Sequence, residues 1–197
     1  MEVAEFQDLP ECPVRMLQSP LEFGSLWEMA SLAGAQTVIE IGSLYGGTLW
    51  YWLQLPTAAH VVTVDQLTEY EPPRTEVLAD RERWHRWPRH DQILTILEGD
   101  SHSSKMVDQA AVEPGTAGLL FIDGDHSYEG VKADFELWSP LVRPGGIVAF
   151  HDTVPTEWAH EPGVVQFVNE LKKQHSSVEW FDARNGGVGI TAFLLGQ

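Results

Sequence analysis

The chain has 197 residues, 43% of them hydrophobic, and a formal net charge of −17. That length suits one domain with a full core, and the acid excess speaks against nucleic acid or an anionic membrane surface as partner. A small neutral or cationic ligand fits better. Cys12 is the sole cysteine, which leaves no internal disulfide framework. The start MEVAEFQDLPEC lacks the basic-then-apolar pattern of a secretory signal, and no apolar run reaches bilayer length, so a soluble cytoplasmic protein is expected.

Residues 1–18 read as an irregular leader before a single domain at 19–197. Ser19-Pro20-Leu21-Glu22 has the form of a capping box with proline at the first helical position. Phe23, Leu26, Trp27 and Ala30 give that helix an apolar face, and Gly34 is its stop. Thr37 to Ile41 reads as the first strand. It runs into Gly42-Ser43-Leu44-Tyr45-Gly46-Gly47 and a helix opening near Thr48 and ended by Pro56. Val61 to Val64 forms a second strand closing at Asp65.

Residues 66–92 are the least regular stretch, with a helix expected from Thr75 to about Trp87. An insertion of that length between strands often covers a site. Ile93 to Leu97 is a third strand ending at Glu98-Gly99-Asp100-Ser101, followed by a helix from Ser104 to Ala111. Leu119 to Ile122 is an apolar run of the kind found in a sheet covered on both faces. It ends at Asp123-Gly124-Asp125-His126, where Asp125 is a candidate cap for the next helix. Val131, Phe135, Trp138 and Val142 recur at helical spacing, Pro144-Gly145-Gly146 predicts a turn, and Ile147 to Phe150 a strand ending at His151-Asp152. Val164 to Leu171 reads as a helix, and Val178 to Phe181 and Gly189 to Leu195 as strands flanking an Asn185-Gly186-Gly187 hairpin signal. The expected fold is α/β: a doubly wound, mostly parallel seven-stranded sheet with an antiparallel C-terminal hairpin.

Ligands of such sheets bind outside the carboxyl ends of the strands. The glycines after the first strand allow close backbone approach at a helix N-terminus. Their spacing is not the G-x-G-x-x-G of dinucleotide enzymes, and a Glu40 carboxylate would repel a pyrophosphate. A cofactor with an ammonium and a sulfonium suits the site better. Asp65 sits where a carboxylate receives ribose hydroxyls, and Asp100-Ser101 where adenine would lie.

Taken together, Glu40 to Gly46, Asp65, Asp100, F-I-D-G-D-H-S-Y and H-D-T resemble a class I S-adenosylmethionine-dependent methyltransferase. More narrowly they are similar to divalent-metal-dependent O-methyltransferases of the catechol and caffeoyl type, in the branch acting on macrolide sugars, natural products and cephalosporin precursors. The likeness spans roughly residues 37–195. It implies that Gly42, Ser43, Tyr45, Gly46 and Gly47 cradle the methionine moiety, with Glu40 an indirect anchor. It implies Asp65 on the ribose, Asp100 and Ser101 on the adenine, and Asp123 at the junction of cofactor and metal. Asp123, His151 and Asp152 are then the metal ligands and His126 the catalytic base. Relatives of this kind often pair, so a homodimer acting on a small-molecule acceptor is the expectation.

His151 stands where many relatives carry a carboxylate. Imidazole suits manganese and other transition metals at least as well as magnesium. His151 is therefore either a ligand or itself the base of a metal-free site. His102 and His160 read as loop histidines, Trp84 and Trp87 as packing residues, and Trp158 as a candidate acceptor wall. The Asp/His clusters would also serve a metal-dependent hydrolase. A nucleotide-binding module and a silent cofactor-binding protein are the other readings left open.

Overall fold

The computed structural model describes residues 5–66, 81–156 and 162–196. In chain order these form α1 (Pro20–Leu32), β1 (Thr37–Ile41), α2 (Gly47–Trp52), β2 (His60–Asp65), β3 (Ile93–Glu98) and α3 (Ser104–Gln109). They continue with β4 (Ala117–Ile122), α4 (Tyr128–Trp138), β5 (Val142–His151), α5 (Gly163–Leu171), β6 (Ser177–Trp180) and β7 (Ile190–Leu194). The seven strands form one sheet in the order β3-β2-β1-β4-β5-β7-β6. β1 to β5 pair in parallel, while β7 joins β5 and β6 antiparallel. This is the doubly wound fold with a C-terminal hairpin that the strand pattern predicted. Among the described residues no helix is long and apolar enough to cross a membrane.

Alternation along the strands builds two cores. Val38, Val61, Leu119, Phe121 and Ala149 face α1 and α2, packing on Phe23, Trp27, Leu49 and Trp52. Ile39, Val62, Leu120, Val148 and Phe150 face the opposite layer, where Val131, Trp138, Phe167 and Val168 meet them. Both sheet faces are thus covered, which explains the unbroken apolar run of β4.

Some local expectations shift. Ser19 does cap α1, its Oγ accepting the Leu21 N–H at 3.3 Å, and Gly34 ends the helix at φ +65°. Glu22 does not close a capping box. It is buried, and its Oε1 accepts the N–H groups of Asp182 at 2.8 Å and Gly189 at 3.2 Å. Asp125 does not cap α4: Ser127 does, accepting the Gly130 N–H at 3.0 Å, while Asp125 accepts from Ser127 itself. Val142 is not helical; a 3₁₀ turn at Ser139–Leu141 ends the α4 region, and Val142 opens β5. Pro144-Gly145-Gly146 lies inside that strand, where its register with β4 shifts between Ala117 and Leu119. Of the helix expected from Thr75 to Trp87, residues 81–84 are helical and 67–80 lie outside the described residues, as do Trp158 and His160.

The sheet order reverses direction between β1 and β4, so the crevice opens where Gly42 and Asp123 leave their strands. The two exits are in contact. A Cβ on Gly42 would lie 1.9 Å from the Asp123 carbonyl oxygen, and Gly42 has φ +85°. Gly42→Ala is therefore expected to cost more than about 3 kcal/mol, read by urea denaturation, since overlap and left-handed strain add.

Candidate active site

Because β1 to β5 are parallel, their carboxyl ends share one edge of the sheet, and each delivers a polar group there. At the end of β2, Asp65 turns back under the glycine loop. Its Oδ2 accepts the N–H groups of Ser43 and Leu44, each at 2.8 Å. These bonds hold Leu44 at φ +44°, a left-handed conformation a leucine adopts only under constraint. The Ser43 hydroxyl meets Thr63 Oγ1 at 2.5 Å, and Thr63 donates to Glu40 Oε2 at 3.3 Å. Trp52 Nε1 donates to the other Glu40 oxygen at 3.0 Å.

Glu40 is completely buried, and burial pushes its carboxyl up to about 8, against hydrogen bonds from Thr48, Trp52 and Thr63. It lies in the core beneath the loop, where its neutral form is favoured. Burial therefore weakens the repulsion of a pyrophosphate expected from a Glu40 carboxylate at the strand end. Any influence on a ligand passes through Thr63 and Ser43.

Above the loop lie two adjoining cavities. The larger, about 470 Å³, is lined by Gly42, Asp65, Asp100, Ser101, His102 and Asp123. The smaller, about 220 Å³, is lined by Gln18, Tyr45, Gly47, His126, His151 and Asp152. Gly42, Asp123 and Gly124 line both, so the cavities meet at the contact between β1 and β4.

The polar cluster sits at that junction. His151 Nδ1 lies 3.1 Å from Asp123 Oδ1 and 3.1 Å from Asp152 Oδ2. His126 Nε2 approaches the same two oxygens at 3.6 and 3.3 Å. Asp123, His126 and Asp152 each offer a ligand atom, all within 4.8 Å of one another. Asp152 is held at φ +57°, which turns its side chain back towards Asp123. The electrostatics follow from packing. Burial alone would raise Asp123, yet the charge of His151 and hydrogen bonds from both imidazoles hold it far below the usual carboxylate range. Burial alone would lower His151, and the charge of Asp123 outweighs it, leaving that imidazole well above its ordinary value. His126 is also raised, first by its hydrogen bond with Asp123. Nε2 of His151, on the far side of the ring from these bonds, is buried without a hydrogen-bond partner. Two carboxylates and two imidazoles are a donor set that fits a divalent cation.

The family description "Methyltransferase domain" matches residues 39–153, from within β1 to just past Asp152. The chain belongs to this methyltransferase family. A Sinorhizobium fredii protein of uncharacterised function is 30% identical over 135 residues, covering 68% of this chain and 15% of that protein. A Dictyostelium discoideum protein assigned as a caffeoyl-CoA O-methyltransferase is 30% identical over 128 residues, 62% of this chain and 45% of its own. Among solved structures, an O-methyltransferase from Bacillus cereus in complex with S-adenosylhomocysteine superposes with a TM-score of 0.64 at 20% identity, over 95% of this chain and 85% of that one. The chain thus spans well under two thirds of those two relatives, and it shares the Rossmann-like fold of class I methyltransferases along nearly its whole length.

The site also holds residues the linear pattern did not single out. Arg15 to Gln18, read as irregular leader, lie against the glycine loop, and Gln18 Nε2 donates to Asp123 Oδ2 at 2.5 Å across 105 positions of sequence. No spacing could announce such a contact. His102, expected to be an ordinary loop residue, lines the larger cavity with Nε2 3.5 Å from Asp134 Oδ1. Asp134 is fully buried, and burial raises its carboxyl to about 6. Here a signal was present, since Asp134 falls on the same helical stripe as Val131 and Trp138. Trp84 and Trp87 are packing residues as expected: Trp84 is buried against Gly46, and Trp87 meets Trp50 edge-on at 5.4 Å.

A neutral buried Glu40 has a stability consequence of definite sign. Its folded value, about 8, lies above the ordinary 4.5, so its contribution is full below pH 4.5 and is lost as pH rises through 8. Glu40→Gln should remove that slope. The variant and the wild-type chain are expected to melt alike near pH 4, whereas at pH 9 the variant should melt about 5 °C higher or more. Thermal scans across pH check this.

Proposed function

We propose that this chain transfers the methyl group of S-adenosylmethionine to a hydroxyl of a small acceptor, such as a sugar or another natural product, assisted by a divalent cation such as magnesium or manganese. The observation that carries the reading is the junction of the two cavities at Gly42 and Asp123. A donor lying along the larger cavity would end beside the Asp/His cluster. The O-methyltransferase names of the Dictyostelium and Bacillus proteins support the same chemistry.

In this reading Asp65, Asp100 and Ser101 receive the adenosine end of the donor. The backbone of Gly42 to Gly47, with Ser43 and Tyr45, receives the methionine end, and Glu40 supports that loop from below. The acceptor enters the smaller cavity and presents its oxygen in line with the S–CH₃ bond. The oxygen's lone pair forms the new C–O bond, the electrons of the S–CH₃ bond return to sulfur, and the hydroxyl proton passes to His126. Asp123, His151 and Asp152 would hold the cation, which, when bound, supplies a lowered acceptor pKa and a fixed direction for its oxygen. Side-chain exposure supports this division of labour: His126 is 36% exposed at the cavity mouth, and His151 only 10%. A hydrolase using the same cluster would leave the 470 Å³ cavity and the pinned glycine loop without a role.

Calorimetry with S-adenosylhomocysteine is the first test, and no binding at saturating micromolar concentration overturns the reading. Asp152→Ala is expected to abolish metal-stimulated methyl transfer while holding cofactor affinity within about twofold. His126→Asn should lower turnover by about a hundredfold or more and keep Mn²⁺ affinity within about threefold, whereas His151→Asn should lose Mn²⁺ binding. Turnover with a labelled methyl donor and Mn²⁺ titration read the two separately.

A further inference from the structure

We propose that Gln18 is a positioning residue that sets which divalent cation the cluster accepts. The inference rests on the metal reading above and concerns a residue outside the ligand set. Asp123 has two carboxylate oxygens, and they face different neighbours. Oδ1 points at His151 and His126, at 3.1 and 3.6 Å. Oδ2 receives the Gln18 amide at 2.5 Å. The carboxylate is almost wholly buried, so that amide N–H is the group that satisfies and orients Oδ2.

The segment carrying Gln18 is itself fixed. Ser19, next in sequence, caps α1 and donates to Asp182 Oδ2 at 2.9 Å. Three residues earlier the chain presses on α2, where a Cβ on Gly47 would come within 2.6 Å of the Arg15 carbonyl oxygen and the Met16 Cα. The Arg15 guanidinium lies 5.7 Å over the Tyr45 ring. Gln18 therefore cannot swing away without moving the segment at both ends.

A carboxylate with one oxygen engaged by an amide has one oxygen left for a metal. Mg²⁺ and Mn²⁺ accept single oxygens in a tight octahedron, whereas Ca²⁺ prefers more oxygens at longer range and often takes both from one carboxylate. Gln18 accordingly favours small octahedral ions and penalises Ca²⁺. It also fixes the direction from which Oδ1 enters the cluster, the usual work of a group bonded to a metal ligand.

The test is metal binding without turnover. Mn²⁺ and Ca²⁺ affinities are measured by calorimetry on the wild-type chain, on Gln18→Met, which keeps the bulk and removes the donor, and on Gln18→Asn, which keeps an amide on a shorter stem. Wild type is expected to prefer Mn²⁺ over Ca²⁺, and Gln18→Met to narrow that ratio about tenfold. Gln18→Asn should fall between the two, and S-adenosylhomocysteine affinity should stay within about twofold in both variants. An unchanged Mn²⁺/Ca²⁺ ratio in Gln18→Met, with wild type binding Mn²⁺, overturns this inference and leaves the metal reading standing. Wild type that binds no Mn²⁺ overturns both.

Discussion

The site depends on the contact between the backbone leaving β1 and the backbone leaving β4. Gly42 N–H donates to Val64 O at 2.9 Å and Asp123 N–H to Ile41 O at 2.8 Å, so each strand exit is tied to the end of a neighbouring strand. No side chain fits between them. That one close approach sets the glycine loop beside Asp123 and makes the two cavities adjoin. It lies at the point where the sheet order reverses, because only there do neighbouring strand exits lead their connections to opposite faces.

Around this contact the molecule uses two kinds of carboxyl group. Burial drives the Glu40 and Asp134 carboxyls up, Asp134 in spite of His102 beside it. Asp123 is equally enclosed but shares its space with His126 and His151, and it stays ionised. Two acidic side chains converging in a dry pocket repel one another unless positive charge lies between them. In the chain by itself the imidazoles supply that charge, and a divalent cation would do so with more of it.

The segments flanking the sheet gain their roles from distant partners. Glu22 sits in a capping-box position, yet it satisfies backbone N–H groups of the 182–189 loop, which packs beside β5 through bonds from Thr153 and Val154 to Gly189 and Val188. Asp134 interrupts the apolar face of α4 and meets His102 at the larger cavity, while Trp138 one turn on donates to Ser101 O at 2.9 Å. α4 therefore braces the segment where the adenine end of a donor is proposed to lie. In each case a polar side chain placed by helical spacing finds a partner that spacing does not describe.

What the sequence determined by itself was the local chemistry and its order. Apolar runs of strand length, glycines after the first of them, and acidic or histidine pairs after the others were enough to specify a parallel α/β sheet and the edge that carries its polar groups, because β periodicity and parallel crossovers leave few alternatives. Asp123, His126, His151 and Asp152 could be named as one cluster on that basis. Tertiary structure alone decided which of the acids would be neutral, which oxygen of Asp123 would face the cluster, and that residues 15–18 belong to the site. The reason is physical: burial, charge and hydrogen-bond partners depend on what surrounds a group in space, and at Gln18 that neighbour lies 105 positions away along the chain.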